Sequence, residues 1–234
     1  MADLLQWDVE GEKFFEGGIS KVVLFVKENA VYGDGVAWTG ITGIDENPDG
    51  GEANEIWADN ISYAKIRGQE KFGITINAYT YPVEFEECDG SKRPSTGVVF
   101  GQQSRKAFGL AYRTEIGSDD LGDFSKGYKI HLVYGCTTSP VEKSHETLND
   151  SPDAETFSWT VDATPAKVVE HTGFKPVAHI VIDSRDVDST KLTSFESMIY
   201  GTAAVTGTNA VAAVPAKLPS PDEVIDHFGA ISNG

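Results

Sequence analysis

The side chains able to do covalent or metal chemistry are few and scattered. Five histidines stand at 131, 145, 171, 179 and 227, and two cysteines at 88 and 136. Two thiols are too few for a disulfide framework or a structural zinc site, so both are expected to be reduced. No nucleophile elbow, zincin helix, phosphate-binding loop or dinucleotide fingerprint occurs. His131 falls on the polar face of an alternating segment and reads as a surface histidine. His179 sits in an apolar run and reads as a satisfied structural one. The expectation is a non-enzymatic chain with no cofactor and no metal.

Two acidic clusters and four tryptophans are candidate binding elements. Asp45-Glu46-Asn47-Pro48-Asp49-Gly50 matches the first half of a calcium loop, but Ile56 stands where the bidentate Glu is needed. An acidic turn is the expected reading. Asp183, Asp186 and Asp188 precede a helical pattern, where carboxylates suit the helix dipole. Trp7, Trp38, Trp57 and Trp159 could stack on sugars if exposed, which supports a rival reading: a carbohydrate-binding β-sandwich module. Trp159 alternates with Phe157 and Val161, so it is expected in the core.

Charge narrows the classes further. Among 234 residues, 19 Lys and Arg face 36 Asp and Glu, a formal net charge of −17. A chain this acidic does not bind nucleic acid by neutralising phosphates, and an anionic membrane repels it. Hydrophobic residues make up 40%, with 12 Phe, 8 Tyr and 4 Trp, which excludes global disorder. No apolar run approaches the roughly 18 residues of a membrane span. The N-terminus lacks a basic region followed by an apolar one, so no secretory signal is expected.

The elements that must position these residues are mostly strands. Residues 21–27, 61–67, 71–81, 97–100, 107–113, 127–135, 155–163 and 179–182 read as strands between Gly, Asn, Asp and Pro clusters. In 71–81, Phe72, Ile74, Ile76 and Ala78 share one face, and Lys71, Thr75 and Asn77 the other. Lys129 and His131, then Ser158, Thr160 and Asp162, mark further wet faces. A short turn is expected over 83–88. A helix is expected over 190–200, with Ser189 as its N-cap and Gly201 beyond its end. Ser220-Pro221-Asp222-Glu223 is a capping box with Pro at the first helical position. Long loops are expected at 40–51, 117–126 and 135–152. The fold class is mainly β: a β-sandwich with one flanking α-helix, long loops and a C-terminal arm and helix. The expected division is 1–200, a β-sandwich domain with an N-terminal arm, and 201–234, an Ala/Val-rich linker plus a short helix.

Several segments together carry a family resemblance. Tyr79-Thr-Tyr-Pro-Val-Glu-Phe-Glu-Glu-Cys-Asp-Gly90 resembles a segment of the major tail tube proteins of siphophages that infect Gram-positive bacteria. So do Gly101-Gln-Gln-Ser-Arg-Lys-Ala-Phe-Gly-Leu-Ala-Tyr-Arg-Thr114 and Gly127-Tyr-Lys-Ile-His-Leu-Val-Tyr-Gly135. Ser139 to Lys143, Asn149 to Pro152, Gly35 to Trp38, Ala58 to Ile61, Ala178 to Asp183 and Leu218 to Val224 follow in the family's order. No single motif has chemical meaning; their number and order make the match specific, from about Gly11 to Phe228.

The resemblance implies a tail-type β-sandwich that assembles into hexameric rings, stacked head to tail as a non-contractile tube. It implies a virion location in the tail, with assembly in the host cytoplasm. The implied partners are further copies of the chain, the tape measure protein, and the tail terminator and distal tail proteins. DNA passes in transit without specific binding, and no membrane is involved. A negative lumen would suit the −17 charge, because like charge lets DNA slide. Candidate lumen-lining residues are Thr75, Asn77, Lys129, His131, Ser158 and Thr160; a solvated outer sheet is the alternative. Candidate contacts between subunits or rings are Trp7, Phe14 and Phe15 in the arm, and Pro140, Glu142, Lys143, His145 and Asn149 in the long loop.

Overall fold

Alternating β-branched and aromatic residues, punctuated by Gly, Asn and Asp, build the chain mainly from strands. The computed structural model describes residues 5–68, 70–120, 124–145, 147, 154–204 and 212–229. The first strands are β1 (Phe14–Glu28), β2 (Val31–Tyr32), β3 (Val36–Ala37), β4 (Ile41–Glu46) and β5 (Asp49–Gly50). β6 (Ala53–Ala58), β7 (Ile61–Arg67) and β8 (Glu70–Ala78) follow. A 3-10 turn at Val83–Glu87 precedes β9 (Lys92–Ser95), β10 (Val98–Phe100) and β11 (Phe108–Ser118). Next come β12 (Gly127–Thr138), β13 (Phe157–Ala163) and β14 (His179–Asp183), then helices α1 (Ser189–Tyr200) and α2 (Pro221–Phe228).

Ten strands join in one sheet, ordered β2-β1-β11-β12-β13-β8-β4, with β3, β5 and β14 on its flanks. Its pairings are antiparallel. The pairs β6-β7 and β9-β10 form separate two-stranded sheets. β12 holds the main sheet together. One edge pairs β11 from Gly127 to Cys136, and the other pairs β14 over its first half and β13 over its last residues.

Both faces of β12 are covered, by different layers. On one side Val133 and Cys136 join Leu24, Ile74, Ile76, Phe85, Leu110 and Trp159 in a core enclosed by both limbs of the curled sheet. Phe85 of the 3-10 turn plugs that core, 4.4 Å from Trp38 and 5.1 Å from Trp159 between ring centroids. The Trp38 indole N–H donates to the Thr80 carbonyl at 2.8 Å, which satisfies its one polar atom. On the other side Ile130, Leu132 and Tyr134 pack with Phe25, Leu192, Phe195 and Ile199 under the two helices.

Gly135 makes this double duty possible. It has φ +60° and sits where the β11–β12 register shifts between Leu110↔Val133 and Phe108↔Cys136. The extra residue is a β-bulge, and it resets the alternation so that Cys136 faces the inner core rather than the helices. A Cβ at Gly135 would lie 2.4 Å from the Thr164 carbonyl oxygen, so only glycine fits.

Four local expectations change in the structure. The acidic segment 40–51, expected as a loop, carries β4 and β5, because Ile41 and Ile44 pack on the inner core and β8 offers them a free edge. Phe14 to Glu16, expected in an arm, begin β1 and pair with residues 116–118 of β11. β11 itself runs on to Ser118. The N-cap of α1 is Asp188, whose carboxylate accepts from the Thr190 and Lys191 N–H groups at 3.0 Å. The α2 capping box is as expected: Glu223 N–H donates to Ser220 Oγ, and Ser220 N–H donates to Glu223.

The described part of the C-terminal stretch is tied to the second core. Leu218 and Val224 belong to it, and Tyr134 Oη donates to the Pro219 carbonyl at 3.0 Å. Gly35 and Lys217 N–H groups donate to Ala216 and Met198 carbonyls at 2.8 Å. The segments 205–211 and 230–234 lie outside the described residues.

Candidate assembly surfaces

Four of the six expected lumen residues come together on one sheet face. Thr75 of β8 stands opposite Thr160 of β13, and Asn77 opposite Ser158. On the other edge of β8, Asp45 stands opposite Thr75. Asn47 Nδ2 donates to Thr75 Oγ1 at 2.9 Å, and Asn77 Nδ2 donates to Asp45 at 3.1 Å. The face is therefore polar and internally hydrogen-bonded. Its reverse, Ile74, Ile76, Ala78, Trp159 and Val161, is core.

Lys129 and His131 lie elsewhere, and His131 corrects an expectation. It was expected on a wet strand face but is 5% exposed, because β11, β14 and the end of β4 crowd around it. Its ring stacks on Tyr112 at 4.5 Å and 6°. His131 Nδ1 lies 3.0 Å from His179 Nε2 and 3.4 Å from Glu46 Oε1. Burial first, then the neighbouring His179, pushes the His131 imidazole down to about 4. Burial also lowers His179. Lys129 is bound to Glu16 at 2.5 Å.

The expected contact residues that are described are all exposed, and several also touch their own chain. Trp7 is exposed, while Phe15 meets Phe124 edge-on at 5.2 Å and Phe14 lies under the Arg185 guanidinium. Pro140 and Glu142 are exposed. Lys143 pairs with Asp89 at 2.6 Å and lies over Tyr81, and His145 meets Glu155 at 3.0 Å. Asn149 lies outside the described residues. Of the tryptophans, Trp38 and Trp159 are buried, and Trp7 and Trp57 are exposed.

Sequence reasoning missed the most exposed apolar surface. The β6-β7 hairpin turns at Asp59-Asn60, both with positive φ (50° and 60°), the geometry of a two-residue type I′ turn. It presents Ile56, Trp57, Ile61, Tyr63 and Ile66 to solvent, with Trp57 64% and Tyr63 72% exposed. The second hairpin adds exposed Val98, Val99 and Phe100. The signal was present: Asp-Asn between two apolar alternating runs marks a hairpin. Alternation alone does not say that neither face is covered.

Neither cysteine is poised as a nucleophile. Burial pushes the Cys88 thiol up to about 12 and raises Cys136 too, so neither supplies a thiolate. Glu86 is held below its ordinary range by two hydrogen bonds from Arg93 at 2.6 Å, which outweigh burial.

A search of curated proteins gave no match. Among solved structures, a similar chain is the sheath/tube terminator of an extracellular contractile injection system, PVC, in its extended state. It is 12% identical, covers 76% of this chain and 99% of its own, and superposes with a TM-score of 0.31, too low to carry an argument. The model of the family described as phage tail tube protein matches residues 27–207, which span β2 to β14, α1 and the C-terminal end of β1. This chain therefore belongs to the phage tail tube protein family.

Proposed function

We propose that this chain is the building unit of a siphophage tail tube, polymerising as hexameric rings stacked into a non-contractile conduit for DNA ejection. The observation that carries the reading is the β6-β7 hairpin. An isolated two-stranded hairpin is marginal in water, and this one leaves five large apolar side chains uncovered. A second copy of the chain is the occupant that family membership supplies. Contacts from one copy to the next need not close on themselves, so they extend into a filament.

In this reading the face bearing Thr75, Asn77, Ser158 and Thr160 lines the lumen. Thr75 and Asn77 already bond Asn47 and Asp45, so these two compete weakly for passing phosphates. The net charge of −17 adds repulsion that keeps DNA moving. Lys129 and His131 fall outside that lining, since one is ion-paired and the other buried. Residues 1–200 form the tube domain and 201–234 the extension, whose described part docks back onto it. Trp7 and the 139–145 stretch, with Pro140 and Glu142 exposed, reach neighbouring subunits. The chain acts without catalysis, beside a tape measure protein, a tail terminator and distal tail proteins, in the virion tail.

Electron microscopy of the purified chain, with and without tail-initiation complex, tests this. Wild type is expected to give hollow tubes with six-fold end views. A Trp57→Ser/Tyr63→Ser variant is expected to stay a folded monomer. Wild-type protein that stays monomeric with the initiation complex present, or a double variant that forms normal tubes, overturns the proposal.

A further inference from the structure

Glu46, His131 and His179 come from β4, β12 and β14, and converge at one end of the inner core. Glu46 Oε1, His131 Nδ1 and His179 Nε2 are separated by 3.0, 3.4 and 3.7 Å. Tetrahedral zinc with bonds of about 2.0–2.1 Å holds its donors about 3.3–3.4 Å apart. The three atoms therefore have the spacing of one triangular face of such a site. We propose that they bind one divalent transition metal, zinc by preference, with solvent in the fourth position.

The surrounding groups are those that orient metal ligands. Tyr112 Oη donates to Glu46 Oε1 at 2.8 Å and holds the carboxylate. Thr114 Oγ1 donates to Glu16 at 2.6 Å, so only its lone pairs remain for His131 Nε2, 3.0 Å away. His131 must then carry its proton on Nε2, which leaves Nδ1 with a free lone pair facing the site. Tyr112 stacks on His131, and Phe72 stacks on His179 at 4.6 Å. Without metal, His179 Nε2–H donates to His131 Nδ1. With metal, His179 moves its proton to Nδ1 and both rings offer lone pairs. Both imidazoles stay neutral in either state, so the exchange is proton-balanced.

The donor set selects the metal. Two imidazoles and one carboxylate suit zinc, cobalt, nickel or copper, whereas calcium and magnesium require oxygen ligands. Glu46 is 38% exposed at its side chain, which gives the ion a route in. Bound there, the metal would clip β4 to the paired strands β12 and β14, with which β4 shares no backbone pairing.

The test is calorimetric titration of zinc into the full chain, with cobalt as an optical probe. One zinc per chain is expected, and a visible cobalt spectrum of tetrahedral type that zinc abolishes. Glu46→Gln and His179→Gln should weaken zinc at least tenfold, and Tyr112→Phe by roughly tenfold. His171→Gln, paired with Asp226 away from the cluster, should leave affinity unchanged. Wild-type protein that takes up neither ion overturns the proposal and leaves the cluster as hydrogen-bonded packing. Uptake undiminished in both Glu46→Gln and His179→Gln overturns it as well. The cobalt spectrum is read on wild type, so it needs no variant to fold.

Discussion

β8 and β7 are neighbours in sequence with opposite fates. Both are rich in residues that favour strands. β8 buries Ile74, Ile76 and Ala78 and turns Thr75 and Asn77 outward, because β13 and β4 flank it and the inner core lies beneath. β7 pairs only with β6 and leaves Ile61, Tyr63 and Ile66 exposed. The difference teaches that apolar content has two uses here. In β8 it stabilises the chain itself; in β7 it is left uncovered, and the proposed function assigns it to a contact with another chain. Substitutions in the two strands should therefore separate folding from assembly.

The largest effect is expected where the inner core is deepest. Trp159→Ala, at the residue paired with Ile76, should cost about 3–5 kcal/mol in denaturant unfolding. A loss below about 1 kcal/mol would break the contrast with the hairpin. Gly135→Ala should come next, at about 3 kcal/mol, from positive φ plus the collision with Thr164. Near-wild-type stability there would show that the bulge is not what lets β12 serve two cores.

A smaller effect is expected at the edge of that core, where Arg93 grips Glu86. The pair is partly exposed, so Arg93→Met should lower stability only slightly at neutral pH. Arg93 lowers the Glu86 carboxyl below its ordinary 4.5 in the folded chain. That stability is complete above pH 4.5 and is lost as pH falls through the folded value. Wild-type and Arg93→Met unfolding curves should therefore converge in acid. Curves that stay parallel would remove the pair from the account.

The smallest change in monomer stability belongs to the hairpin. Trp57→Ser and Tyr63→Ser should each alter unfolding by less than about 0.5 kcal/mol while the double variant loses tubes. A destabilisation of 2 kcal/mol or more would mean that the hairpin packs on its own chain.

Much of this architecture is legible from residues alone. Strand periodicity placed β8, β12, β13 and β14 to within a few residues, and Ser220 to Glu223 announced α2. Such signals are local: alternation, turn chemistry and capping are set by a handful of adjacent residues. The family resemblance rests on motif order, which is also a property of the chain. Segment 40–51 misled, because an acidic, Gly-rich stretch looks like a loop until β8 offers it hydrogen bonds.

What the sequence determined by itself was the class: mainly β, strongly acidic, with no recognisable catalytic motif, and of tail-tube type. The tertiary structure decided which faces are covered. It buried His131 beside Glu46 and His179, residues 48 and more positions apart in the chain. It gathered Thr75, Asn77, Ser158 and Thr160 on one face, and it left the β6-β7 hairpin bare. Burial depends on which distant strands become neighbours, and no period of two along one strand encodes that.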